Sequence, residues 1–282
     1  MTLFAHAKIN LSLRILGKRA DGFHEVVTRM APLQLHDVVT VEPIEETDRI
    51  LITSNDPDIP TDGSNLMAKA ASALAEELGI HHGWRMHVEK HIPFGAGLGG
   101  GSSDAAAVLI AINQILRLGL SVAELARIGG RIGSDVPFFL FGGVCDATGR
   151  GEEISPVDFP WQFDILLVKP PFGIPTPWAY KAWADSKVAT GVDFTPQVLP
   201  WGEMVNDLER PVFQKHLMLP ILKQWLREQL GVRAAMMSGS GSTIFAVLED
   251  GVDGLALQKL VQEFCGDSTW VCLTRSMAAQ PL

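Results

Sequence analysis

Between residues 93 and 107 the chain reads Pro-Phe-Gly-Ala-Gly-Leu-Gly-Gly-Gly-Ser-Ser-Asp-Ala-Ala-Ala, with Gly95, Gly97, Gly99, Gly100 and Gly101 filling five of seven consecutive positions. Glycine loses more conformational freedom on folding than any other residue, so such a run is unfavourable unless the backbone itself must approach something closely. Trp84, Met86 and Val88 alternate with Arg85, His87 and Glu89, which predicts a half-buried strand just before the run. After it, Ser102 to Leu118 is rich in small and apolar residues and closed by Gly119, which predicts a helix. A glycine loop that opens a helix points free amides at one spot, and a phosphate is the natural occupant. The alternative for the run by itself is a flexible surface hairpin; its place between two periodic elements weighs against that.

Three common phosphate loops do not fit. Gly95, Gly97 and Gly100 satisfy G-x-G-x-x-G, yet no Asp or Glu stands near residues 115 to 120 to hold a ribose. Ser102 follows Gly101 where a Walker A loop requires lysine, and the H-R-D and D-F-G strings of protein kinases are absent.

The rest of the chain narrows the setting. It has 282 residues, 47% hydrophobic and 20% charged, a globular composition long enough for one large core or two modest ones. The longest apolar run, Ala105 to Ile112, is far short of the roughly 20 residues a bilayer crossing needs, and Lys8 and Asn10 stand where a secretory apolar region would sit. We therefore expect a cytoplasmic protein with no membrane partner. A net charge of −9 without a basic run argues against a nucleic-acid footprint. Cys145, Cys265 and Cys272 suggest neither a disulfide framework nor a thiolate metal site and read as buried small apolar residues.

Ala7, Ile9, Leu11, Leu13 and Ile15 alternate with Lys8, Asn10, Ser12 and Arg14, predicting a first strand with a polar face. Short strands follow at Val38 to Val41 and Ile50 to Thr53, and a helix at Ser64 to Leu78 is stopped by Gly79. Ser121 and Glu124 form a capping box for a helix ending near Gly129. Beyond Gly151 prolines cluster around a buried-type strand at Phe163 to Val168, which places a domain boundary near residue 150. A helix at Pro220 to Leu230, strands at Arg233 to Met237 and Thr243 to Leu248, a helix near Leu255 to Phe264 and a last strand at Thr269 to Thr274 complete the order. Helices on one face of a mainly antiparallel sheet, an α+β class, fit this sequence of elements.

Pro93, Gly97-Leu98-Gly99 and Ser102-Ser103 resemble the phosphate-loop signature P-x-x-x-G-L-G-S-S-A-A of the GHMP kinases, with Gly100-Gly101 inserted and Asp104 ahead of the alanines. Lys8-Ile9-Asn10-Leu11, Ala20-Asp21-Gly22-Phe23-His24, Gly133-Ser134-Asp135-Val136-Pro137-Phe138-Phe139 and Ser238-Gly239-Ser240-Gly241-Ser242-Thr243 add four more motifs in order. Together they are similar to the branch of the superfamily whose acceptor is a cytidylylated methylerythritol. The resemblance implies a two-domain α+β fold, with a ribosomal protein S5 domain 2-like unit over residues 1–150 and a ferredoxin-like unit over 151–282. It also implies transfer of the ATP γ-phosphoryl group to a tertiary 2-hydroxyl in the non-mevalonate route to isoprenoid precursors, with Mg²⁺ accompanying the nucleotide.

By the same resemblance, Asp135 is the expected catalytic base and Lys8 its partner. The expected ATP site is Pro93, Phe94, Gly95, Ala96, Gly97, Leu98, Gly99, Gly100, Gly101, Ser102 and Ser103, with Asn10, Phe23, His24 and Tyr180 on the acceptor and no protein side chain named as a metal ligand. Phe23 stands where the branch often has Tyr, which keeps a stacking face and drops a phenolic contact. Local readings remain beside these: Asp135 as a helix cap before Val136-Pro137, Lys8 as a solvated strand residue, Tyr180 as a packed aromatic, and Ser238 to Thr243 as a tight hairpin. Asp104 is read as a cap in preference to a metal contact, because its charge suits a first helical turn but not a triphosphate. His6, His36, His81, His82, His87, His91 and His216 show no metal spacing and carry no assigned function.

Overall fold

A computed structural model describes residues 1–45, 48–80 and 82–277; His81 lies outside them. In chain order the elements are Thr2–Lys18 (β1), His24–Ile44 (β2), Ile50–Ser54 (β3), Leu66–Leu78 (α1), Gly83–Glu89 (β4), Gly100–Ile115 (α2), Val122–Ile132 (α3), Phe138–Phe141 (α4), Cys145–Thr148 (β5) and Glu153–Pro156 (β6). Then come Asp164–Lys169 (β7), Thr176–Trp183 (α5), Gln197–Leu199 (β8), Gly202–Met204 (β9), Glu209–Lys215 (α6), Met218–Arg227 (α7), Val232–Met237 (β10), Ile244–Leu248 (β11), Gly254–Cys265 (α8) and Trp270–Arg275 (β12). Among the described residues no helix is long and apolar enough to cross a membrane.

The first sheet is built on β2, which is far longer than the Val38 to Val41 segment expected. One edge of β2 pairs with β1 along almost its whole length; the other takes β5 at Thr28 to Met30 and β4 at Val38 to Ile44. Three register shifts interrupt the β1–β2 ladder, and Pro32 lies within β2 opposite Lys8. A proline and bulges break the alternation that a sequence pattern needs, so the strand is legible only in part. β3 runs parallel to β4 with α1 as the crossover. Helices α1, α2 and α3 pack Leu74, Val108, Leu109, Ile112 and Ile128 against Val39, Val41, Met86 and Val88 of the sheet.

The second sheet has the order β10-β11-β7-β12, antiparallel throughout. This is a ferredoxin-like arrangement, with α5 to α7 joining β7 to β10 and α8 joining β11 to β12. Its strands read as continuous apolar runs because both faces are covered. Leu166, Val168, Ala235, Met237 and Ala246 meet Val212, Leu219, Leu222 and Leu226 of the helices, while Leu167, Met236 and Phe245 meet Ile9, Leu11 and Ala31 of the first sheet. Each fully buried Leu, Ile, Val, Met or Phe among these contributes about 1.5–3 kcal/mol. That shared core packs the first sheet, β1 included, against the second.

The expected helices differ mainly at their ends, whereas α4, α5 and α6 were not expected. α2 begins at Gly100, two residues earlier than expected, because the inserted glycines wind into its first turn behind the N-cap Gly99. Ser121 and Glu124 form the expected reciprocal capping box, but α3 continues through Gly129 to Ile132 and stops at Gly133. α5 rises from the proline cluster, with Pro175 as N-cap and Pro177 in the first turn, where a fixed φ favours a helix. Cys145 is buried and Cys265 and Cys272 are half-buried; all three are free thiols.

Candidate active site

Lys8 and Asn10 are the polar residues of an otherwise apolar stretch of β1, and both are buried, 3% and 2% exposed. What covers them is the glycine loop: the Lys8 backbone N–H donates to the Leu98 carbonyl at 2.9 Å. Lys8 Nζ donates to Asn10 Oδ1 at 2.8 Å and lies 3.4 Å from Asp135 Oδ2. Asn10 Nδ2 in turn donates to Thr28 Oγ1 at 2.8 Å, and Thr28 to the Ser12 carbonyl at 2.6 Å. This chain orients the Asn10 amide and presents the ammonium toward Asp135. Asp135 does not cap α4, whose N-cap is Pro137 with no side-chain bond. Its side chain is 38% exposed and accepts no hydrogen bond among the described residues.

The loop ends in the first turn of α2, where the amides of Gly100, Gly101 and Ser102 have no acceptor within the helix. The loop is wedged against the turn between β10 and β11. Ser238 Oγ donates to the Gly97 carbonyl at 2.9 Å, and the Thr243 N–H to the Ala96 carbonyl at 3.3 Å. Gly97 has φ +77°, and a Cβ there would lie 2.3 Å from the Ser238 carbonyl oxygen, so only glycine fits. Gly239 approaches the polar cluster itself: a Cβ on it would sit 3.5 Å from Lys8 Nζ. The 238–243 segment is a turn joining two strands, as its local string suggests, and it also forms one wall of the site.

A cavity of about 1110 Å³ connects these parts. Of the expected residues, Lys8, Asn10, Phe23, His24, Asp135, Tyr180 and every loop position from Pro93 to Ser102 line it. Ser103 does not: it is 3% exposed, and its N–H closes the first turn onto the Gly99 carbonyl. The His24 ring lies 5.5 Å from that of Tyr180, tilted by 34°, and 6.0 Å from that of Trp183. Burial, with the Lys18 charge adding to it, lowers the His24 pKa, so the imidazole is neutral at neutral pH. Burial, and then the Asp135 carboxylate, raise that of Tyr180. Tyr180 thus packs on the core and still faces the cavity. Phe23 is 51% exposed at the mouth.

Asp104 is the correction. It lies in the second turn of α2, caps nothing, and is buried under the loop with its Oδ2 2.8 Å from Lys90 Nζ. Lys90 also pairs with Asp37, whose Oδ1 accepts from the amides of His91 and Ile92 at 2.6 and 2.8 Å. Burial raises the Asp104 pKa to about 7; Lys90 opposes that and the Asp37 charge reinforces it. Its Oδ1 is buried without a hydrogen-bond partner among the described residues. Lys90, Lys18, Arg150 and Lys181 line the cavity and were missed. No motif marks them, because each reaches the site from an element whose own pattern gives no reason to point there.

The sequence pattern of the GHMP kinases N terminal domain matches residues 65–143, and that of the GHMP kinases C terminal matches 198–266. Over 273 residues the chain is 41% identical to the 4-diphosphocytidyl-2-C-methyl-D-erythritol kinase of Methylacidiphilum infernorum (isolate V4), covering 96% of this chain and 94% of that one. The chain belongs to the 4-diphosphocytidyl-2-C-methyl-D-erythritol kinases, within the GHMP kinases. A crystal structure of 4-(cytidine 5'-diphospho)-2C-methyl-D-erythritol kinase superposes with a TM-score of 0.78 at 33% identity, covering 99% of this chain and all 100% of that one. The homoserine kinase of Cytophaga hutchinsonii superposes at 0.71 with 19% identity over 99% and 95% of the two chains, a likeness of fold alone. Membership in this family makes ATP the phosphoryl donor.

Proposed function

We propose that the cavity transfers the γ-phosphoryl group of ATP to the 2-hydroxyl of 4-diphosphocytidyl-2-C-methyl-D-erythritol, giving the 2-phosphate and ADP for isoprenoid precursor synthesis. The observation that carries this reading is Lys8 Nζ held between Asn10 Oδ1 at 2.8 Å and Asp135 Oδ2 at 3.4 Å, beside the amino end of α2. Phosphoryl transfer asks for positioning, charge neutralisation and a proton acceptor. Asp135, open to the cavity with free lone pairs, takes the proton of the attacking hydroxyl; Lys8 holds that carboxylate and steadies the charge that develops. Asn10 orients the acceptor.

The loop from Pro93 to Ser102 wraps the triphosphate through its amides, and Gly97 and Gly239 keep its path clear. Ser103 supports the turn from beneath. Among the described residues no group of three or more His, Cys, Asp or Glu side chains could hold a metal ion. Ser102 lines the cavity in the first turn of α2, and its hydroxyl is the kind of single oxygen that Mg²⁺, which keeps phosphate and water oxygens, would take from the protein. The ion would neutralise phosphate charge there. Phe23 and Tyr180 offer faces to the cytosine and neutral His24 a hydrogen bond to its edge. All substrates being small and water-soluble, we place the enzyme in the cytoplasm.

The test is ADP release with Mg-ATP and four acceptors: the cytidylylated methylerythritol, homoserine, mevalonate and galactose, with phosphorus NMR of any product. Turnover with the first alone, giving a new phosphomonoester at the 2-position, is expected. Activity on a plain alcohol would remove the cytidine reading and leave the base.

A further inference from the structure

Arg150 lies in the turn between β5 and β6 and lines the cavity, and the roles above leave it unused. Its guanidinium sits over the Phe23 ring, 4.8 Å from the centroid. Nε donates to Glu152 Oε1 at 2.8 Å, Nη2 to the Gly130 carbonyl at 3.2 Å, and the backbone N–H to Glu152 Oε2 at 2.6 Å. A guanidinium fixed by its own turn, by α3 and by an aromatic face has lost most of its rotamer freedom already. Neither N–H of Nη1 has an acceptor among the described residues. The next residue, Gly151, backs onto the base: a Cβ there would lie 3.9 Å from Ser134 Cβ, adjacent to Asp135.

Along this part of the wall Arg150 lies against Phe23 and, through Gly151, next to the Ser134–Asp135 segment. In the acceptor named above, on which this inference rests, a diphosphate carrying two negative charges lies between the cytidine and the tetrol with its 2-hydroxyl. Lys18 also lines the cavity and its charge reaches His24; Glu152, Asp21 and Glu25 stand beside the turn that carries Arg150. We infer that Arg150 binds the diphosphate of the acceptor through its free Nη1 edge and so selects a nucleoside-diphosphate-linked alcohol over a bare one. Arginine suits this because its planar guanidinium, held from behind through Nε and Nη2, presents both N–H groups of Nη1 in fixed directions.

The test is titration calorimetry with the nucleotide site filled by a non-hydrolysable ATP analogue, using cytidine, CMP and CDP as probes on the wild type, Arg150→Met and Arg150→Lys. The wild type should bind CDP more tightly than cytidine. Arg150→Met should lower CDP affinity about ten- to a hundredfold while leaving cytidine within about twofold, and Arg150→Lys should fall between. An unchanged ratio of CDP to cytidine affinity in Arg150→Met would overturn the assignment. Should Arg150→Met fail to bind the ATP analogue and so be misfolded, the ratio in Arg150→Lys decides by the same criterion. Wild-type protein that binds neither cytidine nor CDP would instead remove the cytidine reading itself.

Discussion

Two lysine–carboxylate pairs occupy the two halves of the molecule, and they are built oppositely. Lys223 Nζ lies 2.6 Å from Glu209 Oε2, with the side chains 6% and 3% exposed, and Glu209 Oε1 accepts from the Met237 N–H at 2.9 Å. Every lone pair that matters is engaged. Lys8 Nζ and Asp135 Oδ2 are 3.4 Å apart, the lysine buried and the carboxylate open to the cavity with no further donor among the described residues. A sealed, satisfied pair holds structure, whereas a pair with one buried and one open member leaves its carboxylate free to take a proton. Lys90 stands between the extremes: it serves two carboxylates beneath the loop, and one oxygen of Asp104 has no partner among the described residues.

The contrast can be broken from either end. Lys8→Met should lower turnover at least a hundredfold, measured as ADP release, since it removes the charge that steadies both carboxylate and transition state. Glu209→Ala should do the reverse. It strands a buried ammonium and lowers unfolding free energy by about 3–5 kcal/mol in denaturant titration, with turnover per folded molecule unchanged within about twofold. If Glu209→Ala slowed the folded enzyme as much as Lys8→Met, the distinction between the pairs would fail.

Smaller effects sharpen the picture. Phe23→Ala and His24→Ala should each raise KM for the cytidylylated acceptor about tenfold, with kcat much less affected, because a base loses a stacking face or an edge contact. Asp104→Asn tests the intermediate cluster through pH. Its folded pKa of about 7 lies above that of an unfolded carboxyl near 4, so the folded state holds the extra proton in that window. Wild-type stability should therefore decline relative to Asp104→Asn as pH rises from about 4 through 7, read as the difference in Tm. A difference that stays flat with pH would mean that Asp104 is ionised throughout.

Much of this site was written in local strings. The glycine run announces a loop at a helix start, and Lys8 and Asn10 announce themselves as polar residues in an apolar strand. Hidden were features whose partners come from far along the chain. Asp104 looks like a cap because the local argument is the helix dipole, but it is claimed by Lys90, 14 residues earlier, and through it by Asp37. The length of β2 was obscured by Pro32 and the register shift beside it, and α5 by the prolines that start it. Arg150 carries no signal at all, since a lone arginine in a turn is usually solvated.

The most direct test of the account is Asp135→Asn, with ATP affinity measured by calorimetry and turnover by ADP release on the same preparation. The substitution keeps the size of the side chain and removes the proton acceptor. Retained ATP binding with turnover lowered by a hundredfold or more is the predicted result. Turnover equal to that of the wild type would take Asp135 out of the mechanism and with it the meaning given to the open pair.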